Sequence, residues 1–598
     1  MQNRIWFDEV YRITKILMGI VSVSPNIENE NKCADVIRDL TLAPYQNGKS
    51  PDVFSEFWFT EDGRKNFACL LKSKKTDAAQ AAVLGGGDSA ESNIKTIILM
   101  GHFDTVGVDD FARYGDVNIA FQPEQLIEEM KKYFQSKSNP AQTAVLGGDD
   151  VLSISEQSAW THLQTGDWLF GRGSVDMKSG VAINIALLRA FAKPDENGKR
   201  LIDELDGNLL LLACPDEEIE SAGVLAAVPN LLKLREKENL EYIGVINTDY
   251  TAPRNENENI RFIYSGTVGK LLPSFYILGV RTHVGEIFRG VDASQIAAEL
   301  VREINLNPTW MDTWTGKLGN ETIIEIAVPP VALQMRDLKP LYNAETAGDA
   351  FVYVNWLTLQ MTPLEAIKKM KDSAKQAFGQ VMRRVEESYQ AFSNLGGQSQ
   401  TPLEWNELII SYDELLQKAS KEFGDNLGQW MKKKVDEFSS RVKDSRELSC
   451  LLIAELTKLA KINGPAIITF FSPPYYPSVL PQENELTRSV ASVIHEFDDE
   501  IQLRGFFPYI SDLSYMRLDD SGASVNLKKN MPLFDLENKV YLLDSNKLNE
   551  IKSLNCPVVN IGPFGRDAHG LYERVYMPYS FETVPQIICQ TIKHAFSK

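Results

Sequence analysis

Close cysteine pairs, basic runs and long apolar stretches are all missing from this 598-residue chain. The six cysteines, Cys33, Cys69, Cys214, Cys450, Cys556 and Cys589, are scattered. That excludes a Cys-rich zinc module and suits free buried thiols in a reducing compartment better than a disulfide framework. Lys and Arg total 62 against 81 Asp and Glu, a net charge of -19. No basic run offsets this excess, which argues against nucleic acid or an anionic membrane as the main partner. No stretch reaches the roughly 18 uninterrupted apolar residues of a membrane span. The opening MQNRIWFDEVYRITKILMGIVSVSP is broken by Asp8, Glu9, Arg12 and Lys15 at helical spacing. It reads as an amphipathic helix packed on the core, neither signal peptide nor span, and the expected location is the cytoplasm. What is present is an ordinary globular composition, 43% hydrophobic, in a chain too long for one core, so two or more domains are expected.

Up to about residue 260, short apolar runs alternate with helical patterns, the mark of an α/β layer structure. TIILM (96–100), LLLLA (209–213) and YIGVI (242–246) are continuous apolar runs, as expected of strands buried on both faces. From about Ser265 the order changes. KLLPSFYILGV, TIIEIAV, AFVYVNWLTL and PAIITFF read as strands, and DASQIAAELVREI and TPLEAIKKMKDSAKQAF as helices. This is the β-α-β-β-α-β order of a ferredoxin-like unit, with a charged, all-helical insertion at about 381–462. After about Glu485 the α/β pattern returns. The expected fold is therefore a discontinuous α/β domain with a mixed sheet, residues 1–262 and 485–598, interrupted by a ferredoxin-like α+β domain at 263–484. Two Gly-rich echoes, AVLGGGD from Ala82 and AVLGGDD from Ala144, read as surface insertions.

Functional groups concentrate where the apolar runs end. CPDEEIESAG sets Asp216, Glu217 and Glu218 side by side after Leu209–Leu212, a costly arrangement unless a cation compensates. TIILMGHFDTV brings His102 with Asp104 two residues on, a spacing that lets the carboxylate fix the imidazole tautomer for metal binding. GRGSVDMKSG offers Asp176 among glycines, VINTDYTAP offers Asp249, and NIGPFGRDAHGLYERV offers His569. Each taken alone reads as an ordinary turn or surface residue. Together they gather beyond the C-terminal ends of four strands, the edge where open α/β sheets build their sites. Two histidines and several carboxylates make a mixed N/O donor set suited to zinc, cobalt or manganese, with enough acids for two ions and a spare general base.

HFDTV, GRGSVDMKSG, PDEE followed by Gly223, and the closing GP…AHG…E resemble the di-zinc amidohydrolase superfamily that includes aminoacylase, carboxypeptidase G, succinyl-diaminopimelate desuccinylase and Xaa-His dipeptidase. Length, the insertion and ISDLSYM resemble its branch associated with arginine utilisation. The resemblance implies a catalytic domain with a lid domain. It implies that Asp176 bridges two divalent ions, one also held by His102 and Asp249, the other by Glu218 and His569. Glu217 is then the general base, Asp104 the partner of His102, and His283 a lid residue that helps hold the oxyanion, often across a dimer interface. A cis bond is implied after Asp176. The implied substrate is a small peptide or N-acyl amino acid, and the implied partner a second copy docked through the lid, unless the insertion covers that face and leaves a monomer. A non-catalytic metal-binding or regulatory protein on the same fold, and a phosphoester hydrolase, are the other readings. VYVNWLTLQMTP lacks the lid Arg that relatives use for a carboxylate, and Arg289, Arg336, Arg566 and Arg574 are candidates to replace it. No role follows for Asp216, nor for His162, His495 and His594.

Overall fold

Four consecutive leucines would be strange on a half-exposed strand, but Leu209–Leu212 sit between two apolar layers. Leu209 and Leu211 join Ile97 and Leu99 in one core, while Leu210 and Leu212 join Ile98 and Met100 in the other. Complete burial of such a side chain contributes about 1.5–3 kcal/mol, so both faces of the strand favour the same register. The computed structural model describes residues 6–45, 52–75, 93–137, 152–255, 258–319, 321–397, 405–497, 500–536 and 541–597. Both AVLGG segments lie outside these residues.

The eight-stranded mixed sheet runs in the order Val53–Phe59, Lys65–Leu71, Asn208–Cys214, Ile94–His102, Leu240–Asn247, Val558–Asn560, Arg261–Tyr264 and Ile501–Arg504. Its four central strands are parallel, with His102 opposite Cys214, Met100 opposite Asn247, and Asn247 opposite Asn560. Their C-terminal ends therefore share one edge. The helix Lys178–Ala192 is buried over nearly its whole length and packs against the amphipathic first helix, Phe7–Met18, on one face. Ala222–Lys237 packs with Ser545–Leu554 in the other core.

A second sheet is ordered Val331–Asp337, Asp349–Thr358, Pro273–Leu278, Ala466–Phe471, Leu408–Ser411, with Gly269–Leu271 also paired to Asp349–Thr358. Asp292 and Thr362 cap its helices Ala293–Ile304 and Pro363–Asn394, the second through a capping box with Glu365. Two sequence expectations need correction. TIIEIAV is not a strand of this sheet: Glu321–Ile326 folds back on Thr313–Leu318 as a separate hairpin, and Val331–Asp337 takes the sheet position. The segment 381–462 is not all helical. Its first part continues the helix Pro363–Asn394, and Leu408–Ser411 adds a parallel strand beside Ala466–Phe471 before the helices Tyr412–Phe423, Leu427–Ser439 and Ser445–Leu459.

Candidate metal centre and active site

The shared strand edge delivers His102, Asp104, Glu217, Glu218 and Asp249, while Asp176 and His569 reach the same place from a separate three-stranded sheet of Gly565–Arg566, Arg574–Tyr576 and Trp168–Phe170. Asp104 organises two of the arrivals. Its Oδ1 accepts from the Glu217 backbone N–H at 3.1 Å and its Oδ2 from that of Glu218 at 3.2 Å, while the Ser24 hydroxyl donates to Oδ2 at 2.8 Å. His102 Nδ1 lies 3.4 Å from Oδ1. One buried carboxylate thus fixes both the His102 ring and the acidic turn.

Asp176 lies at the centre. Its Oδ1 is 3.2 Å from His102 Nε2 and its Oδ2 is 3.0 Å from His569 Nε2, which is also 3.0 Å from Glu218 Oε2. Glu217 Oε2 approaches His102 Nε2 to 3.8 Å. Two donor groups result, His102 with Asp176 and Asp249, and Asp176 with Glu218 and His569, the atoms of each within 4.8 Å of one another. Asp176 belongs to both.

The turn before Asp176 uses left-handed backbone at Gly171 (φ 132°) and Gly173 (φ 76°), which glycine adopts without a side-chain clash. The backbone N–H groups of Val175 and Asp176 donate to Glu573 Oε1 at 3.3 and 3.4 Å. Among the described residues every cis peptide precedes a proline, so the cis bond expected between Asp176 and Met177 is absent. The bond that follows Asp176 is trans, and Met177 leads directly into the helix Lys178–Ala192.

Several supporting residues had no role in the sequence reading. Glu573 also accepts from Arg172 Nη1 at 2.6 Å, and Arg172 Nη2 donates to the His569 carbonyl at 3.1 Å, tying GRGSVD to AHGLYE. Both lie in motifs read for other residues. Asn560 clamps Asp249 through two backbone bonds of 3.1 and 2.8 Å. Asp216 forms a 3.0 Å ion pair with Arg64, which also pairs with buried Glu30 at 3.1 Å, and its Oδ2 accepts from Ala222 N–H at the start of the next helix. It therefore supports the turn from behind. Asp512, buried beside Glu217, had no apolar strand before it to draw attention.

The electrostatics calls for cations. Burial and the Asp176 charge push Asp249 up to about 8, and burial with Asp512, Glu218 and Asp249 nearby drives Glu217 well above the carboxylate range, although His102 opposes this. Burial and Asp176 raise Glu218 as well. Burial likewise disfavours ionised Asp176, but contacts to His102 and His569 hold it below its usual value. No Lys or Arg among the described residues pairs with these four acids, and buried Glu218 Oε1 has no hydrogen-bond partner. Divalent ions preferring N and O donors would neutralise the cluster and engage the orphan oxygen, so the donor set fits two of them.

The acids and His569 line a cavity of about 300 Å³ whose other walls are Ile219, Tyr250, Lys270, Tyr476, Tyr509 and Ile510. Tyr250 and Tyr509 stack with ring centres 5.2 Å apart. His283 is not part of this wall. It is exposed on the second sheet's unit, where its Nδ1 accepts from Gly285 N–H at 3.1 Å. None of the four candidate arginines lines the cavity either. Arg336 pairs with Glu447 and Arg289 with Glu286, and buried Arg574 bonds to Asp567, Ser158 and His162.

A mixed α/β sheet with this donor set at its strand edge defines a class, the metal-dependent hydrolases that use two divalent ions. The model of Peptidase family M20/M25/M40 matches residues 145–526, more than half of the chain, and the chain belongs to that family. It is 30% identical over 538 residues to protein YqjN of Bacillus subtilis (strain 168), covering 89% of this chain and 86% of that protein. It is 29% identical over 601 residues to protein RocB of the same organism, covering 98% and 95%. The succinyl-diaminopimelate desuccinylase of Buchnera aphidicola subsp. Baizongia pistaciae (strain Bp) is 27% identical over 176 residues, 28% of this chain and 43% of that one.

Proposed function

We propose that this chain hydrolyses an amide bond in a small peptide or an N-acyl amino acid. The observation that carries the reading is the pair of donor groups sharing Asp176, with Glu217 beside them in one cavity. Asp176 would contribute to holding both ions, with His102 and Asp249 at one site and Glu218 and His569 at the other. Zinc suits these donors best, with cobalt or manganese as alternatives. When bound, the ions supply an acidified water and a polarised substrate carbonyl. Glu217 would accept a proton from the attacking water as the water oxygen bonds to the carbonyl carbon, and would return it to the leaving nitrogen as the C–N bond breaks. Asp104 positions His102 and the Glu217 backbone.

The second sheet's unit acts as a ferredoxin-like lid, and the strand edge it faces belongs to the catalytic domain built from 1–262 and 485–598. His283 acts from a second copy, where it donates to the oxyanion. Its exposure supports that role, as do exposed Leu341 (81%) and Tyr342 (94%) in the segment leading to Glu345, which pairs with His283, and an outward apolar row on the edge strand Val331–Asp337, where Leu333 is 54% and Met335 50% exposed. A cytoplasmic role in amino-acid catabolism, arginine utilisation included, accords with the family resemblance.

The test is metal analysis of the purified protein with a panel of N-acyl amino acids and short peptides, with and without chelator. Two equivalents of metal and chelator-sensitive amide hydrolysis are expected. Chelator-resistant hydrolysis, or metal-replete protein inert towards every amide while a phosphoester is cleaved, would refute the reading.

A further inference from the structure

The carboxylate receptor expected on the lid is missing from 352–363, and the arginines that could replace it are engaged elsewhere or lie off the cavity. One cation does face the metal cluster. Lys270 is the only Lys or Arg among the described residues that lines the cavity. It lies on the short strand Gly269–Leu271 of the second sheet, whereas the acids lie in loops that follow strands of the other sheets, so it reaches the cavity from a different element.

Its backbone is held firmly. Lys270 N–H donates to the Tyr476 carbonyl at 2.8 Å, its carbonyl accepts from Tyr476 N–H at 3.1 Å, and it pairs with Leu357 across the sheet. The side chain therefore leaves a fixed point. No hydrogen bond or ion pair engages its ammonium among the described residues. Burial and the positive charge of Arg446 disfavour the protonated form, opposed by Glu217. An unpartnered ammonium in such a place gains most when an anion enters the cavity. Arg446 opens the helix Ser445–Leu459, where Asp444 holds it at 2.9 Å. The insertion thus places Arg446, paired with Asp444, within electrostatic reach of Lys270.

We infer that Lys270 receives a free carboxylate of the substrate and so selects amides of acids, such as N-acyl amino acids and peptides with a free C-terminus, over amidated or esterified counterparts. The inference rests on the hydrolase reading above. Lys270 is a specificity residue: it holds the substrate's far end while the reacting carbonyl lies at the metal cluster.

The experiment compares kcat/KM for N-acetyl-L-amino acids and free dipeptides with that for the same compounds carrying a C-terminal amide, in metal-loaded wild type, Lys270→Met and Lys270→Arg. Wild type should favour the acids by at least about tenfold, since an ammonium–carboxylate contact in a partly dry site is a strong one. Lys270→Met should raise KM for the acids far more than for the amides, so that most of the preference is lost, and should keep two metal equivalents. Lys270→Arg should retain much of the preference, which guards against a merely misfolded Met variant. An acid-to-amide ratio unchanged in Lys270→Met overturns the inference, as does a kcat loss shared equally by acids and amides, which would place Lys270 in the chemical step. If metal-loaded wild type hydrolyses neither set, the hydrolase reading falls and this inference falls with it.

Discussion

Asp176 contributes to both donor groups and His569 to one, so their replacements should differ in kind. Asp176→Ala is expected to empty both sites, and His569→Ala to release one ion and keep the other, as counted by metal analysis after dialysis. Glu573 touches no ion in this scheme. It holds the Asp176 backbone and Arg172, so Glu573→Gln should weaken metal affinity by roughly 10–100-fold in chelator competition, the usual effect of removing an outer support. With saturating metal its kcat should largely recover. Much of this residue set was legible because His102, Glu217, Glu218 and Asp249 each follow directly on an apolar run. Asp512 was not, because the residues before it, GFFPYIS, contain a proline and carry no strand pattern. Lys270 was not, because one lysine at the start of a strand carries no sign of what its side chain faces.

At the scale of elements, the site depends on strand ends meeting closely. A Cβ added at Gly562 would come within 1.8 Å of the Asp249 carbonyl oxygen, and the obstacle is backbone, which cannot swing away. Gly562→Ala should therefore cost about 1–3 kcal/mol of stability and reduce metal occupancy, read by thermal unfolding and metal analysis. The helix Ile154–Thr165 carries a second test. His162 stacks on Trp168 with ring centres 4.0 Å apart, and its Nδ1 accepts from Arg574. Burial and the nearby Arg574 and Arg566 charges lower it to about 3. Between about pH 6.5 and pH 3 the unfolded chain binds this proton and the folded chain does not, so the contribution to stability falls as pH falls. His162→Gln keeps an acceptor for Arg574 but does not titrate, and its Tm should decline less steeply from pH 6.5 to 4.5 than that of wild type. The buried strands were readable because their apolar runs are continuous. Val331–Asp337 was not, because its alternation is inverted: Val331, Leu333 and Met335 point to solvent while Arg336 is half-buried.

At the scale of the molecule, that inverted strand and the exposed His283 bear on one question, whether the site is complete within one chain. If a second copy supplies His283, mixing two inactive variants, His283→Ala and Glu217→Gln, should restore activity. Random exchange makes half of the dimers mixed, each with one complete site, for about a quarter of wild-type activity. Leu333→Asp on the edge strand should abolish both dimer and rescue. Sequence order displayed the alternation of α/β and α+β segments, but the outward-facing apolar groups of Val331–Asp337 are revealed only by the folded chain.

The central claim is that two ions make the crowded acids tolerable and Glu217 moves the proton. It is tested most directly by measuring metal content and kcat of Glu217→Gln side by side with wild type. The account predicts two metal equivalents in both and a kcat lower by about 10²–10⁴-fold in the variant, the range for a lost general base. A variant that keeps both ions and turns over at the wild-type rate would contradict it.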